Sequence, residues 1–286
     1  MFVVDQVGYI RIGAVAVDRT HVYWAGNNAD LLRRAIDVSG QAEHIADWHG
    51  TLLGQELAVD QDYVYWLHMS SWFRAPKAGG TPEQLPLEGQ GRDVAADEQY
   101  AYPAVAGCAA VARAPHGALT SDVIYPLSPI QRSVGGTYLL LDGTDVYCAS
   151  GHYVLVSHDW GPLQELTSAG SQLLGVAVLG GDVYWFDQTP DRQFTNLYRR
   201  SANGQIVLVG TMNLESNRPC ADPARKRLLF TTGWAVASMS TETGAWKMFS
   251  LSTYPATGSA CDGQFLYWGR FTSTEASIET MPFTQE

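Results

Sequence analysis

An all-β fold of repeated four-stranded units is what the sequence predicts, and three observations predict it. The phrase Val-Tyr-Trp, with an Asp a few residues ahead, recurs about every forty residues: AVAVDRTHVYW ends at Trp24, LAVDQDYVYW at Trp66, VAVLGGDVYW at Trp185 and SACDGQFLYW at Trp268. Degenerate copies end at Pro103, Cys148 and Phe230, making seven in all. Within a unit, short β-branched and aromatic runs alternate with Gly, Pro and Asp breaks. Nowhere is an apolar i, i+3, i+4, i+7 pattern sustained, so almost no helix is expected. Four short strands at this period are the signature of a β-propeller blade. The chain therefore reads as a seven-bladed β-propeller of four-stranded antiparallel blades.

The second unit shows how a blade is written. QELAVD is a first strand, Gln61-Asp62 a polar turn, and YVYWLH a second strand rich in large aromatics. WFRAP is a third, Lys77 to Gly80 a turn, and PEQLPL a short fourth. The Tyr-Trp pair buries roughly 150–250 Å² per ring, so it is expected to pack blade on blade. Blades are expected to begin near 12, 54, 91, 136, 173, 216 and 256 within one domain spanning residues 1–286. The seventh unit reaches SIETMPF without a clear fourth strand, while FVVDQVGYI stands spare at the N-terminus. Residues 2–10 are therefore expected to complete blade 7 and remove an open edge.

Taken together, the unit AVD-x-x-x-VYW followed by RA and GG resembles the seven-bladed bacterial propellers of the TolB/NHL-like (YncE-like) group. That resemblance implies the fold. It implies no single function, because such propellers include enzymes, sugar binders and protein-docking platforms. Streptogramin-inactivating lyases are an enzyme branch of similar size, and their His and Glu set with bound magnesium has no residue-by-residue counterpart here.

Composition narrows the partners. The chain has 18 Lys plus Arg against 29 Asp plus Glu, a formal charge of −11. Such a balance argues against nucleic acid or an anionic membrane as the main partner. No apolar run is long enough to span a bilayer as a helix. No signal peptide is visible at MFVVDQVGYI, so the chain reads as cytoplasmic as written, or as secreted or periplasmic if it is a mature form. Cys108, Cys148, Cys220 and Cys261 form no CxxC, so a zinc or redox motif is not expected. Cys220 and Cys261 fall on first strands and are read as core thiols. Cys108 and Cys148 lie near the same end of neighbouring blades, where a disulfide is an alternative.

Counting back from the Asp that ends each first strand separates two registers. One holds small residues such as Ala16, Ala58 and Ala95, and carries Glu56, Asp93, Tyr138 and Arg218 one level higher. With a period of two these share a face, which is read as the channel wall. Val15, Val17, Leu57 and Val59 form the buried face in that reading. The competing reading is that the charges only solvate the channel.

Loops over the same mouth add Trp48, His49, His68, Trp72 and Arg92. Trp48, Trp72, Arg92, Asp93, Tyr138 and Arg218 form the candidate ligand-binding set, suited to sugar stacking or a protein hot spot. The bland alternative is that Trp48 and Trp72 cap apolar blade ends. His49, His68 and Glu56 form a candidate acid–base set. No cofactor or metal site is read from the sequence, although a divalent metal at the channel mouth is kept as a weaker reading of His49 and His68. The Asp before each second strand is read as structural, bonding its own turn. No G-x-S-x-G, phosphate loop or dinucleotide fingerprint occurs. The favoured function is a ligand-binding or protein-interaction propeller recognising a glycan or a protein at the mouth. A lyase, hydrolase or isomerase acting there on a small molecule is the alternative.

Overall fold

Seven four-stranded antiparallel sheets, each built from consecutive strands except the last, make up the computed structural model of the chain. The structure describes residues 2–7, 12–26, 30–37, 40–47, 57–68, 71–85, 91–105, 107–115, 122–125, 137–168, 172–213, 218–251, 256–271 and 276–284. For residues 2–7, 68, 91, 92, 168, 250, 251, 257 and 271 it describes the backbone alone. The innermost strands are Ile12–Val17, Leu57–Val59, Gly91–Ala96, Thr137–Asp142, Gln172–Leu179, Cys220–Asp222 and Ala256–Cys261, in blades 1 to 7. Among the described residues the helical content is one 3-10 turn, Pro223–Arg225, in blade 6.

Blade 7 is closed by the N-terminus. Phe2–Val7 pairs antiparallel with Ala276–Pro282, from Phe2 opposite Thr280 to Val7 opposite Ala276. The outer strand of the last blade thus comes from the opposite end of the chain, and the ring is latched by main-chain hydrogen bonds.

The anchor phrase works because side chains in a strand alternate faces. Tyr points toward the next blade and Trp toward the previous one. Tyr23 of blade 1 and Trp66 of blade 2 share one buried cluster. Tyr147 and Trp185 share another, and Tyr267 and Trp24 a third across the ring closure. Where the phrase degenerates, the pairing does too: Tyr102 meets Cys148, Tyr184 meets Phe230, and Leu229 meets Trp268. Between blades 2 and 3 the anchor Trp is replaced by Pro103. There Trp72, from the third strand of blade 2, joins Tyr65, Val94 and Ala101 in the cluster.

This geometry corrects the register reading. Blades radiate from the axis, so both faces of each sheet lie against neighbours. Ala14 and Ala16 pack with Leu57 of blade 2, whereas Val15 and Val17 pack with Tyr267 and Ile278 of blade 7. The opening is walled instead by the free edges of the innermost strands, where consecutive residues such as Val15, Ala16 and Val17 all contribute. Bulges near the mouth end of four innermost strands also break the strict period of two. Gly258 sits at one of them with φ +48, and a Cβ there would lie 3.1 Å from Cα of Ala14 in blade 1.

The cysteines are a second correction. Cys220 and Cys261 are not separate core thiols but are bonded to each other, joining blades 6 and 7. One precedes its turn Asp by two places and the other by one, so they point to opposite faces of their own sheets and meet at the shared interface. Cys108 and Cys148 are bonded between blades 3 and 4. The sequence separations of 40 and 41 match the repeat, so each bridge spans one blade step.

Candidate functional site at the channel mouth

The loops that follow each second strand and those that join blades lie on one face, and the axial channel opens there. The opening has a volume of about 290 Å³ and is bounded by alanines and valines of the innermost strands. Its polar feature is Arg218, just ahead of the innermost strand of blade 6. Nη2 of Arg218 donates to the carbonyl of Leu139 in blade 4. Nη1 lies 3.6 Å from Oδ1 of Asp93 in blade 3. The Ser259 hydroxyl of blade 7 donates to the carbonyl of Arg218 at 3.3 Å. One residue therefore ties four blades together across the mouth, with a quarter of its side chain still exposed.

Asp93 is 1% exposed. Its Oδ1 accepts from the Val94 N–H at 2.7 Å and its Oδ2 from the Leu139 N–H. A buried carboxylate requires such donors, since an unpaired one costs several kcal/mol. Asp93 and Arg218, both expected near the mouth, are thus brought within ion-pairing distance of each other across the ring. Tyr138 is half-buried against the cluster between blades 4 and 5.

The other expected residues fare differently. Trp72 is 1% exposed and offers no ring face to a ligand, so the expectation of a stacking platform there is corrected. Its burial follows from Pro103, which leaves the interface without an anchor indole. His68 ends the strand Tyr63–His68, and Arg92 lies on Gly91–Ala96, in both cases with only the backbone described. Trp48, His49 and Glu56 lie outside the described residues.

Two aromatics of this face were missed. Trp234 is 57% and Phe194 44% exposed. Each sits in the turn between the second and third strands of its blade, in blades 6 and 5. The Thr232 hydroxyl accepts from the N–H groups of Trp234 and Ala235, at 3.2 and 2.9 Å. That of Thr189 accepts from the Phe194 N–H at 3.1 Å. The carbonyl of Gly233 accepts from the Ala256 N–H at 3.2 Å, pinning the turn to the start of the innermost strand of blade 7. The available signal was TTGW: a Thr two places ahead of a large aromatic, with Gly between, writes a hydroxyl-capped turn.

Fold and site together define a seven-bladed β-propeller with a polar-bridged, narrow mouth. No protein-family model matches the chain, and no curated protein matches it in sequence. Among solved structures, it is similar to YCF48 from Cyanidioschyzon merolae, with a TM-score of 0.68 and 10% identity over 96% of this chain and 97% of that one. It is similar to a chain of a Mitotic Checkpoint Complex, with a TM-score of 0.69 and 11% identity over 98% and 95%. A structure of YCF48 bound to D1 peptide gives 0.65 and 10% over 96% and 94%. At these identities the likeness shows the fold alone.

Proposed function

We propose that this propeller is a docking platform that holds a protein or peptide segment at its channel mouth. The observation that carries the reading is Trp234, an indole more than half exposed yet fixed in a turn anchored to blades 6 and 7. An indole held out of the core at a cost in apolar exposure suits a contact surface, and Trp and Arg are the residue types that concentrate binding energy. Arg218 supplies a partly exposed guanidinium on the same face of the same blade. Two of the similar propellers are named in complexes, one with a peptide and one in a checkpoint assembly, which supports the reading by analogy of fold only. Membership of the TolB/NHL-like (YncE-like) group belongs to the same proposal and rests on the repeated AVD…VYW unit.

The enzyme reading rests on Glu56, Asp93, Arg218, His49 and His68 converging at the mouth. Asp93 and Arg218 lie within ion-pairing distance there, the side chains of His49, His68 and Glu56 are not among those described, and the docking reading is the one advanced. The test is selection from a displayed peptide library, followed by calorimetry on the winners and a parallel glycan array. Peptides should bind with micromolar affinity, and Trp234→Ala should weaken them at least about tenfold. Failure to select any peptide, or glycan binding that Trp234→Ala abolishes, would overturn the proposal.

A further inference from the structure

The structure assigns a divalent-metal site to the outer rim of blade 1, formed by Asp30, His44 and Asp47. Asp30 begins the third strand of that blade, Asp30–Ala35, and the other two lie on its fourth, Glu43–Asp47. In the register of these antiparallel strands Asp30 stands directly opposite Asp47. Two carboxylates facing each other across a strand pair repel, and the His44 imidazole reaches both of them.

The three side chains converge in the way a metal requires. Nε2 of His44 lies 3.5 Å from Oδ1 of Asp30 and 3.4 Å from Oδ1 of Asp47. All three ligand atoms lie within 4.8 Å of one another. Those nitrogen-to-oxygen distances are longer than a well-formed N–H···O bond, about 2.7–3.2 Å. They match the edge between two ligands of a tetrahedral ion, which is about 3.4 Å for bonds of about 2.1 Å. One imidazole nitrogen equidistant from two carboxylate oxygens is the donor set of a borderline divalent ion such as Zn²⁺ rather than of Ca²⁺, which takes six to eight oxygens. Three protein ligands on an accessible edge leave a fourth position for water or for a ligand supplied by a partner. The site is separate from Arg218 and the axial opening, and its existence does not depend on the docking reading.

The test uses the untagged full chain and Zn²⁺ alone, with Co²⁺ as a spectroscopic probe. Calorimetry should show one Zn²⁺ per chain with a micromolar dissociation constant, and Co²⁺ should give the intense visible bands of four-coordinate geometry. His44→Ala and Asp47→Asn should each weaken Zn²⁺ at least tenfold while circular dichroism stays that of the wild type. His158→Ala, whose imidazole pairs with Asp145 in blade 4, should leave the affinity unchanged. Wild-type protein that binds Zn²⁺ only in the millimolar range, or Zn²⁺ affinity that neither His44→Ala nor Asp47→Asn lowers, overturns the proposal. So does equal loss on His158→Ala.

Discussion

The Tyr65 hydroxyl donates to Oδ2 of Asp60 across 2.5 Å, while Oδ1 of the same carboxylate accepts the backbone N–H groups of Asp62 and Tyr63 at 2.7 Å each. Tyr23 with Asp18, Tyr102 with Asp97, and Tyr267 with Asp262 repeat the arrangement, each pair five residues apart. The recurring Asp thus closes its own turn with one oxygen and ties down the next strand's anchor Tyr with the other. In blade 6, where Leu229 replaces the Tyr, Arg227 donates to Asp222 instead, at 3.0 Å. Tyr65→Phe removes the donor and leaves one oxygen of Asp60, itself 6% exposed, without that bond. We expect a loss of about 1–3 kcal/mol in urea unfolding. An unchanged midpoint would mean that the hydroxyl is replaced by water at no cost.

Acid should attack the ring at the step between blades 1 and 2. Burial pushes Asp18 up, but the Lys77 ammonium at 2.6 Å, with the donors of Thr20, Tyr23 and His21, outweighs it and holds the carboxyl well below its usual range. A folded-state value below the unfolded one gives stability that is present above about pH 4 and lost as pH falls further. Lys77 comes from the turn after the third strand of blade 2, so the pair joins blades. Lys77→Met should therefore cost about 1 kcal/mol at pH 7, and thermal melts should show the gap to wild type narrowing by pH 3.

Alkali should act through the tyrosines. Burial first, then the bonded carboxylate, raises the hydroxyls of Tyr23, Tyr65, Tyr102 and Tyr267 above their ordinary value of 10.0. The folded state prefers the protonated phenol, so this stability is complete below pH 10 and is lost as pH rises beyond it. A spectrophotometric titration should show these four phenolates appearing together with loss of the folded circular-dichroism signal, not before it. Smooth ionisation of all 14 tyrosines in the folded protein would contradict the buried Asp–Tyr pairs.

The bridges Cys108–Cys148 and Cys220–Cys261 staple two of the interfaces in which an anchor aromatic is missing. Each closes a loop of one repeat, so removing either should cost about 2–5 kcal/mol. Peptide mapping by mass spectrometry without reduction should recover these two pairs and no crossed pair. Cys220→Ser with Cys261→Ser should then lower the thermal midpoint, and a reductant should lower that of the wild type further than that of the double variant. Bridges of this kind persist in oxidising compartments, which gives the mapping a bearing on where the protein works.

The fold was legible because the repeat reports packing. A Tyr and a Trp one place apart must face opposite neighbours, and four such pairs with three degenerate copies at one period leave a closed ring as the way to bury them all. The spare N-terminal strand was legible for the same reason: an edge without a partner and a strand without a sheet. The site was not. Ala16 and Val15 look like wall and core when a strand is imagined with one wet face, but radial blades have none, and the parity argument fails. Trp72 reads as exposed because it follows a polar loop. Only the distant Pro103 makes room for it in the core, and the repeat alignment could have shown that. Trp234 was overlooked because its blade carries the weakest copy of the phrase, ending at Phe230.

Ring closure provides the last prediction. Phe2–Val7 covers the free edge of Ala276–Pro282, and that edge strand would otherwise present a row of unpaired N–H and C=O groups. The latch joins strands that are far apart in sequence, so closing it carries the loop entropy of nearly the whole chain. Its formation should accordingly be a late, slow step of refolding. Deleting residues 2–7 leaves the buried pair Tyr267 and Trp24 in place between blades 7 and 1, so the β-sheet signal should survive. The exposed edge should instead appear as concentration-dependent association in light scattering. Supplying residues 2–7 as a free peptide should suppress that association, by pairing with the edge as the covalent strand does. A truncated chain that stays monomeric at high concentration would show that blade 7 needs no fourth strand to protect it.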